Sequence, residues 1–266
     1  MDIGLLESKF ARMGARLKVT EAGRSWDSRG SAGIDIRSDG GGEFFEIRLG
    51  AAERVEYEVV DLRPDLKHLL LLGRAGEEKR KFLCGHDERH WFVCAVPGKS
   101  VSGVLTAFRA LQPALVRHSA HVNLKRRKNL FRRRNEAYVR QGEWFFVPAP
   151  ELKVDESRVL RNEPLTRGGG SKAHVCQYAY RTGGRFVMVC EQYPRGVGEQ
   201  EYRHLLRTNP QAGGWRWRSM VRDPRLFVRG SVRHADHKTV VLDCWHRVSM
   251  NTEGMAVWAS SVVFLD

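Results

Sequence analysis

His234, Asp236 and His237 fall within four residues, with Arg233 before them and Lys238 and Thr239 behind. Two histidines among cations suit proton transfer on a phosphodiester. One ring takes a proton from a hydroxyl, the other protonates the leaving oxygen, and a neighbouring Arg or Lys stabilises the charge that develops. Asp236 could instead fix the tautomer of one ring. The plainer reading is an exposed turn between two strands, and the sequence favours it. His246 does not join this group. If residues 235–238 form the turn, His246 pairs near Phe227, and seven residues of strand carry it roughly 23 Å away. Its parity with Val240, Leu242 and Val248 makes it a core histidine. His174, beside Cys176 on a separate strand, can approach either end.

The second candidate chemistry is electrostatic. Lys125, Arg126, Arg127, Lys128, Arg132, Arg133 and Arg134 place seven cations in ten residues. With Arg117 and Arg140, and only Glu136 opposed, residues 117–140 carry a net +8. Residues 203–233 hold eight arginines against Asp223, a net +7, so the rest of the chain sums to −1 of the total +14. Charge this local marks a surface for an anion, and nucleic-acid phosphate is the natural one. A helix over about 122–134 is expected to carry the first cluster. Leu124, Phe131 and Tyr138, seven apart, would make its one narrow apolar stripe. Like charges at i,i+4 would repel along it, and phosphate would relieve them. A solvated helix, or a basic segment that reads a membrane surface or directs nuclear import, is the alternative.

Trp215-Arg216-Trp217-Arg218 alternates ring and cation with the period of a strand. Exposed tryptophans would stack unpaired bases. Tryptophans turned into the core, with arginines outside, are the expected arrangement.

Other motifs carry less. Arg167-Gly168-Gly169-Gly170-Ser171-Lys172 has its Lys after its Ser and a strand rather than a helix behind it, so it is no phosphate-binding loop. Cys84, His86, His90 and Cys94 share parity in a hairpin, but no single register aligns both the histidine and the cysteine pair, so zinc is not expected there. No metal or cofactor is called for. The five cysteines include no CxxC pair and read as reduced, buried thiols.

These residues must be positioned by short elements. Strands are expected at 17–20, 33–37, 43–49, 55–62, 68–73, 80–84 and 91–96, then a helix capped by Ser100 or Ser102 and ended by Pro113. A hairpin or bulged strand surrounds Gln141-Gly142, and residues 151–173 read as an irregular connection. Residues 174–181 and 185–191 read as a hairpin about Thr182-Gly183-Gly184. A helix at 199–208 and strands near 215–221, 226–233, 239–250 and 261–265 complete the chain. The fold class is therefore α+β, β-rich and mainly antiparallel, with few helices, one of them strongly basic. The expected division is a β-rich unit over 1–120 ending in a helix, followed by the basic helix and an α+β unit over 121–266.

No apolar run approaches a membrane span, and the first residues lack the features of a secretion signal. The chain reads as a cytoplasmic protein without a membrane partner. Its expected function is binding of nucleic-acid backbone through residues 125–134, with Arg216 and Arg218 as a second patch. RNA is slightly preferred over DNA, since no helix-turn-helix or zinc finger is present. The alternatives are a metal-independent nuclease built on His234 and His237, and a module that docks on an acidic protein partner.

Overall fold

The computed structural model describes residues 2–21, 33–49, 55–98, 100–126, 129–167, 172–253 and 264–265. It is an α+β structure made mostly of antiparallel strands. The chain divides into two compact units. The first comprises Met1–Phe145, Asp236–Lys238 and Ser249–Val257, and the second Phe146–Ala235, Thr239–Val248 and Trp258–Asp266.

The first unit opens with a helix, α1 (Ile3–Met13). Asp2 caps it, its Oδ1 accepting the Leu5 N–H at 3.0 Å. Gly14 closes it in the left-handed region at φ 86°, where a side chain would be strained. Leu6, Phe10 and Met13 are its buried stripe. A three-stranded sheet follows, with β1 (Leu17–Glu21) parallel and β2 (Gly33–Asp39) antiparallel to a central β3 (Gly42–Leu49).

Next comes an antiparallel meander of β4 (Val55–Arg63), β5 (His68–Ala75), β6 (Glu78–His86) and β7 (Trp91–Ala95). Its β5 run His68-Leu-Leu-Leu-Leu-Gly is buried at every position, because both faces of the sheet are covered. Leu69 and Leu71 join Phe10, Phe45 and Ile47 on one side. Leu70 and Leu83 join Val104, Ala107 and Leu111 on the other. The hairpin register sets Leu83 opposite Cys94 and Cys84 opposite Val93, so the two cysteines face different cores.

The helix α2 (Val104–Leu111) is capped differently from expectation. Neither Ser100 nor Ser102 serves; Asp61, reaching from β4, accepts the Val104 N–H at 2.7 Å, and Thr106 Oγ1 accepts that of Gly103 at 2.9 Å. Pro113 then stands at the N-cap of α3 (Ala114–Asn123). Here the expected basic helix is corrected. Helix ends at Asn123, and residues 124–126 and 129–138 form an irregular loop. Arg127 and Lys128 lie outside the described residues. Tyr138 leads into β8 (Val139–Gln141), which turns back through β9 (Trp144–Pro148).

In the second unit, β10 (Leu160–Leu165) lies within the stretch expected to be irregular. Among the described residues it is an edge strand paired with β11 (His174–Thr182) alone, which allows Pro164 to occupy it. The main sheet runs β10-β11-β14-β15-β9, with β14 (Arg225–Arg233) and β15 (Val240–Met250) forming its long hairpin. The expected 174–191 hairpin does not form. After Gly183-Gly184 the chain enters β12 (Arg185–Val189), which pairs with β13 (Arg218–Arg222) in a separate sheet completed by β16 (Phe264–Leu265). A glycine pair specifies a turn, not the partner of the strand that leaves it. Helix α4 (Glu199–Thr208) lies where expected. No helix of the described residues is long and apolar enough to cross a membrane.

Candidate nucleic-acid interface

The basic stretch leaves helical geometry because its few non-cationic residues are tied down one by one. Asn135 does most of this. Its Nδ2 donates to the carbonyls of Asn129 at 3.1 Å and Arg132 at 3.3 Å, and its Oδ1 accepts the N–H groups of Ala137 and Tyr138. Such side chain-to-backbone bonds offer the chain an alternative to helix. The buried Tyr138 hydroxyl donates to the Leu130 carbonyl and accepts from Gln112 Nε2 at 3.2 Å. Phe131 stacks on Phe108 of α2. From this anchored loop Lys125, Arg126, Arg132 and Arg134 project as exposed cations.

Arg133 is different. It is half-buried and ion-paired with both Asp87 and Glu88 of the β6–β7 turn, the Glu88 oxygen at 2.6 Å. Burial lowers its guanidinium to about 10, which leaves it cationic at neutral pH. Asp87, only 12% exposed at its side chain, also has Arg140 at 3.8 Å and His237 Nδ1 at 3.8 Å. The Lys238 N–H donates to Glu88 Oε2 at 2.6 Å, and Gln141 Nε2 donates to the Lys238 carbonyl at 2.7 Å. Arg133 and His237 thus belong to a set of contacts that fixes this turn, where sequence reasoning placed them in ligand binding and catalysis.

Behind the loop, His68 packs between Phe92 and Phe108, with ring centres 5.4 and 4.9 Å away. Its Nδ1–H donates to the Leu66 carbonyl at 2.5 Å. Burial lowers it to about 4, so the ring is neutral and rigidly placed.

In the second unit, Trp215 and Trp217 precede β13 rather than lying on it. They nevertheless share one side. Their rings lie 5.8 Å apart and both pack on Tyr193, while Trp217 also meets Tyr202 edge-on. The Trp217 indole N–H donates to the Ala212 carbonyl at 2.8 Å. Both tryptophans are half-buried, and Arg216 and Arg218 are exposed beside them.

A row of alternating cations and rings crosses four strands of the main sheet. Arg161 lies 5.5 Å from the Tyr178 ring, and Arg229 lies 5.6 Å from Tyr178 and 4.9 Å from Trp245. No short-range motif signals this row, because each member sits on a different strand.

The histidines separate in character. His234, half-buried just past β14, stacks on the ring of His174 at 4.1 Å between centres and 25° between planes. His174 is 1% exposed. Asp236 and His237 belong to the first unit, His234 and His174 to the second. His246 is buried, pairs opposite Val228 and places its Nδ1 2.8 Å from its own strand's Cys244 carbonyl, the core position expected for it. Asp243, Cys244 and His246 bring three possible ligand atoms within 4.8 Å of one another. They are near neighbours on one strand, and burial raises the Cys244 thiol, which disfavours the thiolate a metal would need. In the first unit, His90 Nδ1 instead meets Glu43 at 2.7 Å and His86 packs edge-on to Trp91.

Comparison with known proteins gives no counterpart: no family model matches the chain, and neither the curated proteins nor the solved structures contain a match.

Proposed function

We propose that the protein binds the phosphate backbone of a nucleic acid through the basic loop of residues 124–126 and 129–138. The observation that carries this reading is the exposure of Lys125, Arg126 and Arg132 on an internally bonded loop, with no acid of the described residues within 4 Å of them. Exposed cations without acidic partners break no ion pair on meeting phosphate, and they release its counterions. Arg134 extends this face, and Arg216 and Arg218 add a second patch. RNA remains slightly favoured over DNA, supported by the half-buried Trp215 and Trp217 beside those two arginines. Five free thiols fit a reducing, cytoplasmic setting. Fluorescence-anisotropy titration of oligonucleotides over a range of salt tests the proposal: a steep log–log salt dependence supports it.

A second reading, cleavage of phosphodiesters, is favoured by the stacked His174–His234 pair. In this reading His234 is the candidate acid or base, and His174 rather than His237 is its partner.

A further inference from the structure

A cleft of about 180 Å³ opens between α2, α3 and the start of the basic loop, lined by Arg109, Gln112, Arg117, Ala120, His121, Leu124 and Leu130. It is smaller than a drug-sized pocket, which runs to roughly 300–1,000 Å³. No acid lines it. Arg109, Arg117 and His121 are exposed at its rim, while Ala120, Leu124 and Leu130 supply apolar walls.

Gln112 is the informative member. It is 3% exposed, yet it lines this cleft. Because the Tyr138 hydroxyl spends its proton on the Leu130 carbonyl, the Gln112 group facing Tyr138 must be the donor Nε2. The carboxamide is thereby oriented, and Oε1 accepts no hydrogen bond from the described residues. A carbonyl oxygen fixed in direction, with an open lone pair and no donor among the described residues, is ready to accept an N–H from a ligand in the cleft. Arg117 is also oriented, since its Nη1 donates to the Gln112 backbone carbonyl. Its remaining N–H groups stay available to an anion.

We infer that this cleft seats one unstacked nucleotide of a single strand, its phosphate on Arg109, Arg117 and His121 and its base between the apolar walls with an N–H on Gln112 Oε1. The choice of ligand rests on the nucleic-acid reading above. The combination is specific: a free phosphate would leave the apolar walls and Oε1 unused, and an apolar ligand would leave the cations unused. Bases recognised in single strands are splayed out and read on their edges in this manner.

The test uses mononucleotides, which do not need the exposed cations of the basic loop. AMP, CMP, purine riboside 5′-monophosphate and inorganic phosphate are titrated into the full chain by calorimetry at low salt. AMP and CMP should bind about tenfold or more tightly than phosphate. Purine riboside monophosphate, which lacks the exocyclic amine, should fall about tenfold behind AMP, the cost of one buried hydrogen bond. The double variant Arg117→Ala, His121→Ala should lose AMP binding, whereas Lys125→Ala with Arg126→Ala and Arg132→Ala should keep it within about twofold. Amide-shift mapping of the unaltered protein with AMP serves if the double variant does not fold; the shifts should centre on Gln112, Arg117 and His121. Equal affinity for AMP and phosphate, no AMP binding, or shifts centred elsewhere would overturn the inference. A protein that takes AMP but no oligonucleotide keeps the cleft and loses the loop reading. One that binds oligonucleotides with a steep salt slope but not AMP does the reverse.

Discussion

Phe131, in the middle of the basic loop, stacks on Phe108 of α2 with ring centres 5.5 Å apart and planes 27° from parallel. This contact joins the most cationic stretch of the chain to the first unit's second hydrophobic core, and it separates two properties that usually travel together. Phe131→Ala should loosen the loop without removing a charge. The variant should lose about 1 kcal/mol of stability beyond simple area burial. Its nucleic-acid affinity should fall while the slope of log affinity against log salt stays the same. Equilibrium unfolding and anisotropy titrations read both.

Arg133 and Arg132 are neighbours in sequence with opposite expected roles. Arg133→Ala leaves the largely buried Asp87 without its main cation, and should cost about 2–3 kcal/mol, less than a fully buried pair because Arg133 keeps some solvent. Arg132→Ala should stay within about 0.5 kcal/mol in stability and act on binding alone. Denaturant midpoints of the two variants settle the contrast. Equal midpoints would return Arg133 to the binding surface.

His68 makes stability depend on pH. Burial lowers its pKa from 6.5 to about 4, so the unfolded chain binds a proton that the folded ring refuses. Its contribution is fully present above about pH 6.5 and is lost as the pH falls toward 4, roughly 3 kcal/mol in all. Thermal melts between pH 7 and 4 should show this decline, and His68→Gln should flatten it. Gly85 sits opposite His68 in the β5–β6 register, where an added Cβ would stand 2.2 Å from His68 Cδ2. Gly85→Ala should therefore destabilise by about 1–3 kcal/mol, since ring and strand cannot both stay in place.

Most of the first unit's strands are legible in the sequence because alternation and turn residues recur at short range: 43–49, 55–62, 68–73 and 80–84 need only local pattern. The helix α1, which is not among the expected elements, carries equally local signals: the cap Asp2, the stripe Leu6, Phe10, Met13 and the terminal Gly14. The strand β10 was hidden for a physical reason. An exposed edge strand such as Leu160-Arg-Asn-Glu-Pro-Leu has little apolar pattern to show. The basic loop misled in the opposite direction. Leu124, Phe131 and Tyr138 fit a helical period, but Phe131 and Tyr138 are held by separate partners, Phe108 for one and Gln112 and Leu130 for the other. Of the site, the exposed cations were readable from composition. The pairing of Asp87 with Arg133 and His237, and the orientation of Gln112, depend on contacts distant in sequence, for which one sequence offers no signal.

The cleavage reading has its own test. If His174 and His234 share acid–base work, phosphodiester cleavage should show a bell-shaped pH profile and persist in chelator. His234→Ala should then abolish turnover and leave binding within about twofold. Cleavage that survives this substitution, or no cleavage of RNA or DNA at any pH, removes the pair from catalysis.

The central claim is tested most directly by the salt slope of one combined variant, Lys125→Ala, Arg126→Ala, Arg132→Ala and Arg134→Ala. Each phosphate contact on a single strand contributes roughly 0.7 to the slope of log affinity against log salt. The slope should become shallower by about that amount for every cation that touches the backbone, with affinity at low salt falling in step and circular dichroism unchanged. A folded variant whose slope and affinity match those of the unaltered protein would contradict the account.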